Sequence, residues 1–236
     1  MTKTLPPRTG DPTVVLPISK RVSVVRSFLS ASGTAPASMH RALISLAGLP
    51  GSGKSHLARD LHDGTQAVVV RTDEVRQVLF PEPTYARDES GTVYQTCFAV
   101  VRALLRDGYA VIFDGTNGRR TGRRRLATIA RETGASHLLV LVTADDEVVR
   151  GRIIERQAGR APSFSSGAGW EIHQLMAASE DYGGHFDLVV DTGSEISSAV
   201  TAMIGFLQGD PGGLDGVGAQ AGGWKSRPGR RGRKST

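Results

Sequence analysis

The sequence predicts a three-layer α/β fold with a mostly parallel β-sheet, and two observations support this prediction. Five short, nearly continuous apolar segments recur along the 236 residues, which is typical of strands buried on both faces. Stretches with helical periodicity lie between them. Because strands that alternate with helices favour right-handed crossovers, we expect parallel strands with helices on both faces of the sheet. The predicted strands are 42–47, 67–70, 109–113, 137–142 and 187–190.

The chain is predicted to form one domain with an extension at each end. We assign residues 40–208 to the domain, with a lid around residues 150–170. Residues 1–39 are interpreted as an N-terminal extension that is partly helical, because four apolar residues there have amphipathic spacing. Residues 209–236 are Gly-rich, basic and poor in core-forming residues, which predicts a disordered tail. The four apolar residues with helical spacing are Ile18, Val22, Val25 and Leu29.

The composition predicts a cytoplasmic protein without a membrane span. No segment approaches the roughly 18 to 20 apolar residues of a spanning helix, and the single cysteine, Cys97, excludes a disulfide framework. The net charge of +6 comes from six basic residues near the C-terminus, so that residues 1–223 are formally neutral. This tail is a candidate for contacting nucleic acid, although a solubilising role is equally consistent with it. The six residues are Lys225, Arg227, Arg230, Arg231, Arg233 and Lys234.

A phosphate-binding pattern follows the first predicted strand. Residues 48–55 fit the pattern G-x-x-x-x-G-K-[ST]. Glycines let backbone N–H groups point at a phosphate, and the following helix adds the positive end of its dipole. We expect Lys54 to reach the β- and γ-phosphates of ATP, and the Ser55 hydroxyl to bind Mg²⁺. The residues predicted to contact the nucleotide are Gly48, Leu49, Pro50, Gly51, Ser52, Gly53, Lys54, Ser55 and His56.

A carboxylate follows the second predicted strand. Asp73 lies at the carboxyl end of that strand, which in a parallel sheet is beside the phosphate loop. An acceptor hydroxyl loses its proton as it attacks the γ-phosphorus, and a positioned Asp can accept that proton. Arg76 would share a helix face with Asp73 and hold an anionic group or orient the carboxylate. The alternative is that Thr72 or Asp73 caps the helix and that Arg76 is a solvated partner.

The third predicted strand ends at Asp114. This residue is a candidate for holding Mg²⁺ or binding the acceptor, and a helix or turn cap is the alternative. A cluster of five arginines follows. Near a phosphate site such a cluster favours an anionic substrate, although arginine runs on amphipathic helices usually form a solvated face. The cluster consists of Arg119, Arg120, Arg123, Arg124 and Arg125.

Two further arginines lie on the helix predicted at residues 144–157. Arg152 and Arg156 are four residues apart and therefore neighbours on one face. Arginines on a mobile segment can neutralise the charge of the transferring phosphoryl group and exclude water. Residues 158–169 are rich in Gly, Ser and Ala, as a lid would be. The alternative is a surface helix whose arginines form ordinary salt bridges.

Four motifs and their order along the chain resemble those of the P-loop kinases of the AAA_33 type, which are related to the kinase domain of bacteriophage polynucleotide kinase. The resemblance covers residues 42–207 and implies a P-loop NTPase of nucleoside-monophosphate-kinase type with a five-stranded parallel sheet. It also implies Asp73 as the general base, Arg76 as its substrate-side partner, and Arg152 or Arg156 as the lid arginine. The motifs are Gly48-Leu49-Pro50-Gly51-Ser52-Gly53-Lys54-Ser55, Thr72-Asp73-Glu74-Val75-Arg76, Phe113-Asp114-Gly115-Thr116-Asn117 and Arg152-Ile153-Ile154-Glu155-Arg156.

These observations together predict an ATP- and Mg²⁺-dependent phosphotransferase. The acceptor would carry a hydroxyl, either on a small molecule or at the 5′ end of a polynucleotide. The residues leave one alternative from another class open, namely an ATP-binding switch or regulatory NTPase whose nucleotide state controls a partner.

Overall fold

The computed structural model describes residues 16–30, 40–159 and 169–214. Its centre is a five-stranded sheet in the order β2-β3-β1-β4-β5, and every pair of neighbouring strands is parallel. The predicted α/β class and the five-stranded parallel sheet are therefore confirmed. The strands are β1 (Ala42–Ala47), β2 (Val68–Arg71), β3 (Val111–Asp114), β4 (Ser136–Thr143) and β5 (Leu188–Asp191).

Helices cover both faces of this sheet. One face packs against α2 and α8, and the other packs against α1, α3, α4 and α5, each with its own apolar cluster. None of the helices in the described parts of the chain is both long and apolar enough to cross a membrane. The helices are α1 (Ile18–Ser30), α2 (Lys54–Thr65), α3 (Thr72–Leu79), α4 (Arg87–Arg106), α5 (Arg120–Thr133), α6 (Asp146–Gln157), α7 (Trp170–Ser179) and α8 (Ser197–Gln208).

The N-terminal helix α1 is packed into the core. Val25 is fully buried and Leu29 is 5% exposed, and both belong to the cluster formed with α4. The buried Arg21 donates hydrogen bonds to the carbonyl oxygen of Thr92 and to Thr96 Oγ1, both on α4. The predicted helix in the extension is therefore present, and it contributes to the same core as the sheet.

The predicted tail and the predicted lid lie only partly within the residues that the structure describes. Most of the predicted basic tail, residues 215–236, and the central part of the predicted lid, residues 160–168, lie outside the described residues. The first residues of the predicted tail differ from the expectation. Pro211–Leu214 forms a short 3₁₀ helix, and Leu214 packs against the apolar cluster that contains α8. The packing of Leu214 and the backbone bond from Asp210 N–H to the carbonyl oxygen of Gly205 hold this segment on the domain.

The parallel strands bring several loops to one edge of the sheet. Arg71 pairs with Asp114 in the register of β2 and β3, and Leu46 pairs with Asp114 in the register of β1 and β3. The carboxyl ends of these three strands therefore lie at the same level, where ligands of open α/β sheets bind. The phosphate loop leaves β1 at this edge, and the loop at Thr192 leaves β5 there.

Candidate functional site

A cleft of about 1740 Å³ opens at the carboxyl edge of the sheet and contains most of the residues predicted from the sequence. Three residues of the phosphate loop, Gly48, Leu49 and Ser52, lie behind this surface and act through backbone contacts described below. The predicted residues that line the cleft are Pro50, Gly51, Gly53, Lys54, Ser55, His56, Asp73, Arg76, Asp114, Arg152 and Arg156.

Two glycines of the phosphate loop meet close neighbours in backbone conformations that side chains rarely adopt. Gly48 has a φ of 146°, and a Cβ there would lie 2.2 Å from the carbonyl oxygen of Val142. Gly53 has a φ of 93°, and a Cβ there would meet Thr192 Oγ1 at 2.8 Å. The Gly48 N–H donates to the carbonyl oxygen of Thr116 at 3.0 Å, which ties the loop to the end of β3. The loop shape therefore requires glycine at both positions.

Lys54 is held at the base of the loop. Its ammonium group donates to the carbonyl oxygen of Leu49 at 2.8 Å, and the residue is only 7% exposed. Burial lowers the pKa of Lys54 from its ordinary value of 10.5 to about 8, although the charges of Asp114 and Asp73 oppose this shift. The buried ammonium group has lost most of its hydration, and an anionic phosphate beside it would stabilise its charge.

A clamp formed by Thr192 and Arg152 holds the phosphate loop from the side of β5. Thr192 Oγ1 donates to the carbonyl oxygen of Ser52 at 2.8 Å. Arg152 contacts Thr192 twice, through Nη1 to Oγ1 at 2.8 Å and through Nη2 to the carbonyl oxygen at 2.7 Å. Nη1 also lies 3.4 Å from the carbonyl oxygen of Gly51. Arg152 therefore bridges α6 to the loop by bonds to oxygens, and no salt bridge of Arg152, the predicted alternative, is observed with the residues that the structure describes.

Helix α7 contacts the same loop through a buried histidine. His173 is 3% exposed, and its Nδ1 hydrogen-bonds to the carbonyl oxygen of Pro50 at 2.7 Å. The ring stacks on Trp170, with centroids 5.0 Å apart and planes 8° from parallel. The tautomer with a proton on Nδ1 satisfies this bond. The segment after the predicted lid thus supports the phosphate loop.

Two of the predicted carboxylates have different surroundings. Asp114 is 3% exposed, and its Oδ2 accepts a hydrogen bond from Arg71 Nε at 2.8 Å. Arg71 also pairs with Glu74 at 2.8 Å. Asp73 lines the cleft, and its negative charge favours the protonated forms of Lys54 and Arg156. The capping alternative is not observed, because Arg71 is the N-cap of α3.

Arg76 lines the cleft and forms a buried ion pair. Its Nη1 donates to Glu89 Oε1, its Nη2 lies 3.3 Å from Ser90 Oγ, and Tyr85 stacks on the guanidinium at 4.5 Å. Glu89 also accepts bonds from the Thr84 backbone and hydroxyl, both at 2.7 Å. Burial alone would raise the pKa of Glu89, but the hydrogen bonds from Thr84, Arg76 and Tyr85 outweigh it and lower that pKa. Glu89 therefore stays ionised and fixes Arg76.

Oxygen donors suited to Mg²⁺ lie in this cleft. The Ser55 hydroxyl and the Asp114 carboxylate both line it. No group of three or more His, Cys, Asp or Glu side chains converges as a metal cluster within the described ranges. Mg²⁺ usually takes only one or two protein oxygens, together with waters and substrate phosphates, so Ser55 and Asp114 fit such an ion.

Sequence reasoning missed several residues of this site, among them Thr192, Glu89 and His173. Each acts by a hydrogen bond or ion pair to a residue that is distant in the chain, and no motif accompanies them. Asn117 was inside a quoted motif without an assigned role, although a positive φ of 47° sets it apart in the structure.

Sequence comparison places the chain in a family. A sequence model of the AAA_33 family, described as an AAA domain, matches residues 43–174, which is more than half of the chain. The uncharacterized proteins Rv2004c of Mycobacterium tuberculosis and Mb2027c of Mycobacterium bovis are each 32% identical over 165 residues. That match covers 64% of this chain and only 30% of each relative.

Solved structures share the fold at low sequence identity. The Mycobacterium tuberculosis APS kinase CysC, in complex with AMPPNP and APS, has a TM-score of 0.53 at 17% identity, over 70% of this chain and 96% of that one. Kti12 of Chaetomium thermophilum, in complex with ADP-AlF3, has a TM-score of 0.52 at 18% identity, over 69% and 94%. The chain therefore belongs to the AAA_33 family and has the fold of the P-loop kinases.

Proposed function

We propose that this protein transfers the γ-phosphoryl group of ATP to the hydroxyl of an acceptor. One observation carries the proposal. Asp73 lies in the same cleft as the phosphate loop, close enough for its charge to favour the ammonium form of Lys54 and the charged form of Arg156. A carboxylate in one cleft with a phosphate-binding lysine and an arginine is what a transfer site needs.

The donor half would be the phosphate loop. Backbone N–H groups and the start of α2 would hold the phosphates, with Lys54 on the β- and γ-phosphates. Mg²⁺, bound through Ser55 and Asp114, would supply charge neutralisation between these phosphates. The contact of Thr192 with the Ser52 carbonyl oxygen would keep the loop in its binding shape before the nucleotide arrives.

In the transfer step, Asp73 would act as the general base. The acceptor oxygen forms a bond to the γ-phosphorus as the bond from that phosphorus to the β,γ-bridging oxygen breaks, and ADP leaves. The proton of the acceptor hydroxyl passes to Asp73. Arg76 is neutralised by Glu89, so it would orient the acceptor through its hydrogen-bonding capacity more than through net charge.

Arg152 and Arg156 would stabilise the charge that develops on the transferring group. Both line the cleft from α6, one turn apart. Arg152 is bonded to the loop at Thr192 and would hold α6 against the donor loop. Burial lowers the pKa of Arg156, and the charge of Asp73 in the same cleft only partly opposes this shift. Arg156 would contact the γ-phosphate.

The test is an acceptor screen with γ-labelled ATP, followed by Asp73→Asn on the acceptor found. Loss of the base should lower the transfer rate by about 10²–10⁴-fold while the affinity for ATP stays close to that of the wild type. Asp63→Asn is the matched control, because it makes the same change at an exposed carboxylate of α2 that lies outside the cleft lining. That control should change the rate by less than about fivefold.

Two outcomes would contradict the proposal. Wild-type transfer rates in Asp73→Asn would remove this residue as the base. Slow ATP hydrolysis that is independent of every hydroxyl compound tried, in a protein that binds ATP tightly, would favour the nucleotide-dependent switch.

A further inference from the structure

One wall of the cleft is formed by the start of α5, the loop before it, and Glu180 at the end of α7. The phosphoryl transfer proposed above gives this wall no role. We call this surface the acceptor wall and define it by Asn117, Arg119, Gly122, Arg125 and Glu180. All five residues line the cleft. They are distinct from the phosphate loop and from the predicted base.

Helix α5 begins with charges of the unfavourable sign. Its first turn contains no acidic residue, and its N-cap, Arg119, makes no side-chain capping bond. Arg120 and Arg123 follow within that turn. Cations at this end are repelled by the positive end of the helix dipole. An anion bound at the start of α5 would be stabilised both by the helix and by the arginines.

The structure divides these arginines into two kinds. Arg123 is 6% exposed and donates to the carbonyl oxygens of Asn117 and Gly118, and Arg120 pairs with Asp181 at 3.3 Å. These two are parts of the scaffold. The guanidinium groups of Arg119 and Arg125 line the cleft and make no hydrogen bond or ion pair with the residues that the structure describes. Two cations are thus available to a ligand at the positive end of α5.

Two buried polar groups beside them also lack partners. Asn117 is 2% exposed, and neither its Nδ2 nor its Oδ1 has a hydrogen-bond partner among the described residues. The same holds for Glu180 Oε2, which lies against Gly118. Unsatisfied buried polar atoms are costly, so their presence in a cleft points to a ligand that satisfies them. A Cβ at Gly122 would lie 3.2 Å from Asn117 Oδ1, so glycine there keeps the amide uncovered.

We propose that the acceptor is a phosphorylated polyol. Its phosphate lies against Arg119, Arg125 and the start of α5. Its hydroxyl groups donate to Glu180 Oε2 and to the amide oxygen of Asn117, because these two oxygens require donors and the phosphate dianion, the main form at neutral pH, has none to offer. The Asn117 Nδ2 donates to an oxygen of the same molecule. This inference rests on the proposed function, since it names the class of acceptor that the transfer site takes.

The first test uses matched pairs of acceptors with γ-labelled ATP: glycerol and glycerol phosphate, ribose and ribose phosphate, glucose and glucose phosphate. Transfer should occur to the phosphorylated member of a pair and be at least about tenfold weaker to the neutral member. For the preferred acceptor, Arg119→Gln with Arg125→Gln should raise KM about tenfold or more while KM for ATP stays within about twofold. Arg124→Gln is the control for charge, because Arg124 is exposed on the same helix outside the cleft lining.

Equal transfer to neutral and phosphorylated members would overturn the inference while leaving the kinase function intact. An equal rise of KM in Arg124→Gln would also overturn it, since the effect would then be one of net charge alone. Absence of transfer to any acceptor would count against the proposed function, and the second test then decides the inference by itself.

The second test measures binding of inorganic phosphate to the protein saturated with a non-hydrolysable ATP analogue and Mg²⁺. Saturable binding should be weakened about tenfold or more in the double arginine variant, but not in Arg124→Gln. If the analogue does not bind, the same titration is made on Lys54→Met, in which the phosphate loop is disabled. No saturable binding, or binding that is unchanged in the double arginine variant, would overturn the inference.

Discussion

Lys54 shows how the burial of one residue can couple ligand binding to the uptake of a proton. Its pKa of about 8 arises chiefly from loss of water, and the carboxylates of Asp114 and Asp73 only partly compensate. The folded-state pKa lies below the ordinary value of 10.5, so the unfolded chain binds more protons between these two values. The penalty that Lys54 places on folding is therefore fully present below about pH 8 and is relieved as the pH rises from there towards 10.5.

We expect nucleotide binding to take up a proton at alkaline pH. Phosphate oxygens beside the Lys54 ammonium favour the charged form and raise its pKa on binding. The affinity for ATP should therefore fall as the pH rises above about 8, by up to tenfold per pH unit. Calorimetric titrations in buffers of different ionisation enthalpy measure the proton directly. The proton uptake by Lys54 on nucleotide binding should be substantial near about pH 9 and small near about pH 7.

Lys54→Arg provides the control, since an arginine keeps the charge but does not titrate in this range. If binding enthalpies near about pH 9 were the same in every buffer for the wild type, the depressed pKa of Lys54 would be wrong.

At the scale of elements, the phosphate loop is held from three directions. The end of β3 contacts it through Thr116, the loop after β5 through Thr192, and α7 through His173. Anion-binding loops depend on N–H groups that already point inward, so such supports lower the cost of ordering the loop when the phosphates bind.

Replacement of Thr192 by Val tests one of these supports. Valine has nearly the same shape, but it removes the hydroxyl that donates to Ser52 and accepts from Arg152. We expect the free energy of unfolding to fall by about 1–2 kcal/mol and the affinity for ATP to weaken several-fold. Thr192→Ser keeps the hydroxyl and is the matched control. Denaturant unfolding and nucleotide titration on both variants make the measurement, and equal behaviour of the two would show that the hydroxyl does not support the loop.

The elements themselves were largely predictable. Strand β1 has the predicted bounds, and the other four are shifted by one or two residues, because buried parallel strands are continuous apolar runs that stand out from helical periodicity. The supports of the site were not predictable. The bond from Thr192 to Ser52 spans 140 residues and the bond from His173 to Pro50 spans 123, and neither position is marked by residue type or spacing. The glycine motif indicates where phosphates bind, but only packing determines what holds it.

The arginine cluster shows the same limit. From the sequence, five closely spaced arginines indicate either an anion site or a solvated face. In the structure the members of the cluster differ: Arg119 and Arg125 line the cleft, Arg124 is exposed outside its lining, and Arg123 is a buried scaffold residue. Helical spacing alone does not distinguish the buried arginine from the exposed ones, because Arg123 donates to the carbonyl oxygen of Gly183, which lies 60 residues further along the chain.

At the scale of the whole molecule, the sheet separates two apolar cores, and α1 completes one of them. Arg21 ties α1 to α4 by bonds to Thr92 and Thr96. The side chains of Val25 and Leu29 are buried in the same cluster as the middle of α4. Residues assigned to an extension by their position before the first strand are thus part of what stabilises the face of the sheet opposite α2 and α8.

Leu29→Ala should therefore destabilise the whole domain without altering the site. The leucine is 5% exposed, and its truncation leaves a cavity that should lower the free energy of unfolding by about 2–4 kcal/mol. Ile18→Ala on the same helix is the matched control, because that side chain is 46% exposed, and its effect should stay within about 0.5 kcal/mol. Nucleotide affinity, measured well below the unfolding transition, should be the same in both variants, since α1 makes no part of the cleft lining. A Leu29→Ala protein as stable as Ile18→Ala would mean that α1 is a dispensable extension, and the core on that face would then be complete without it.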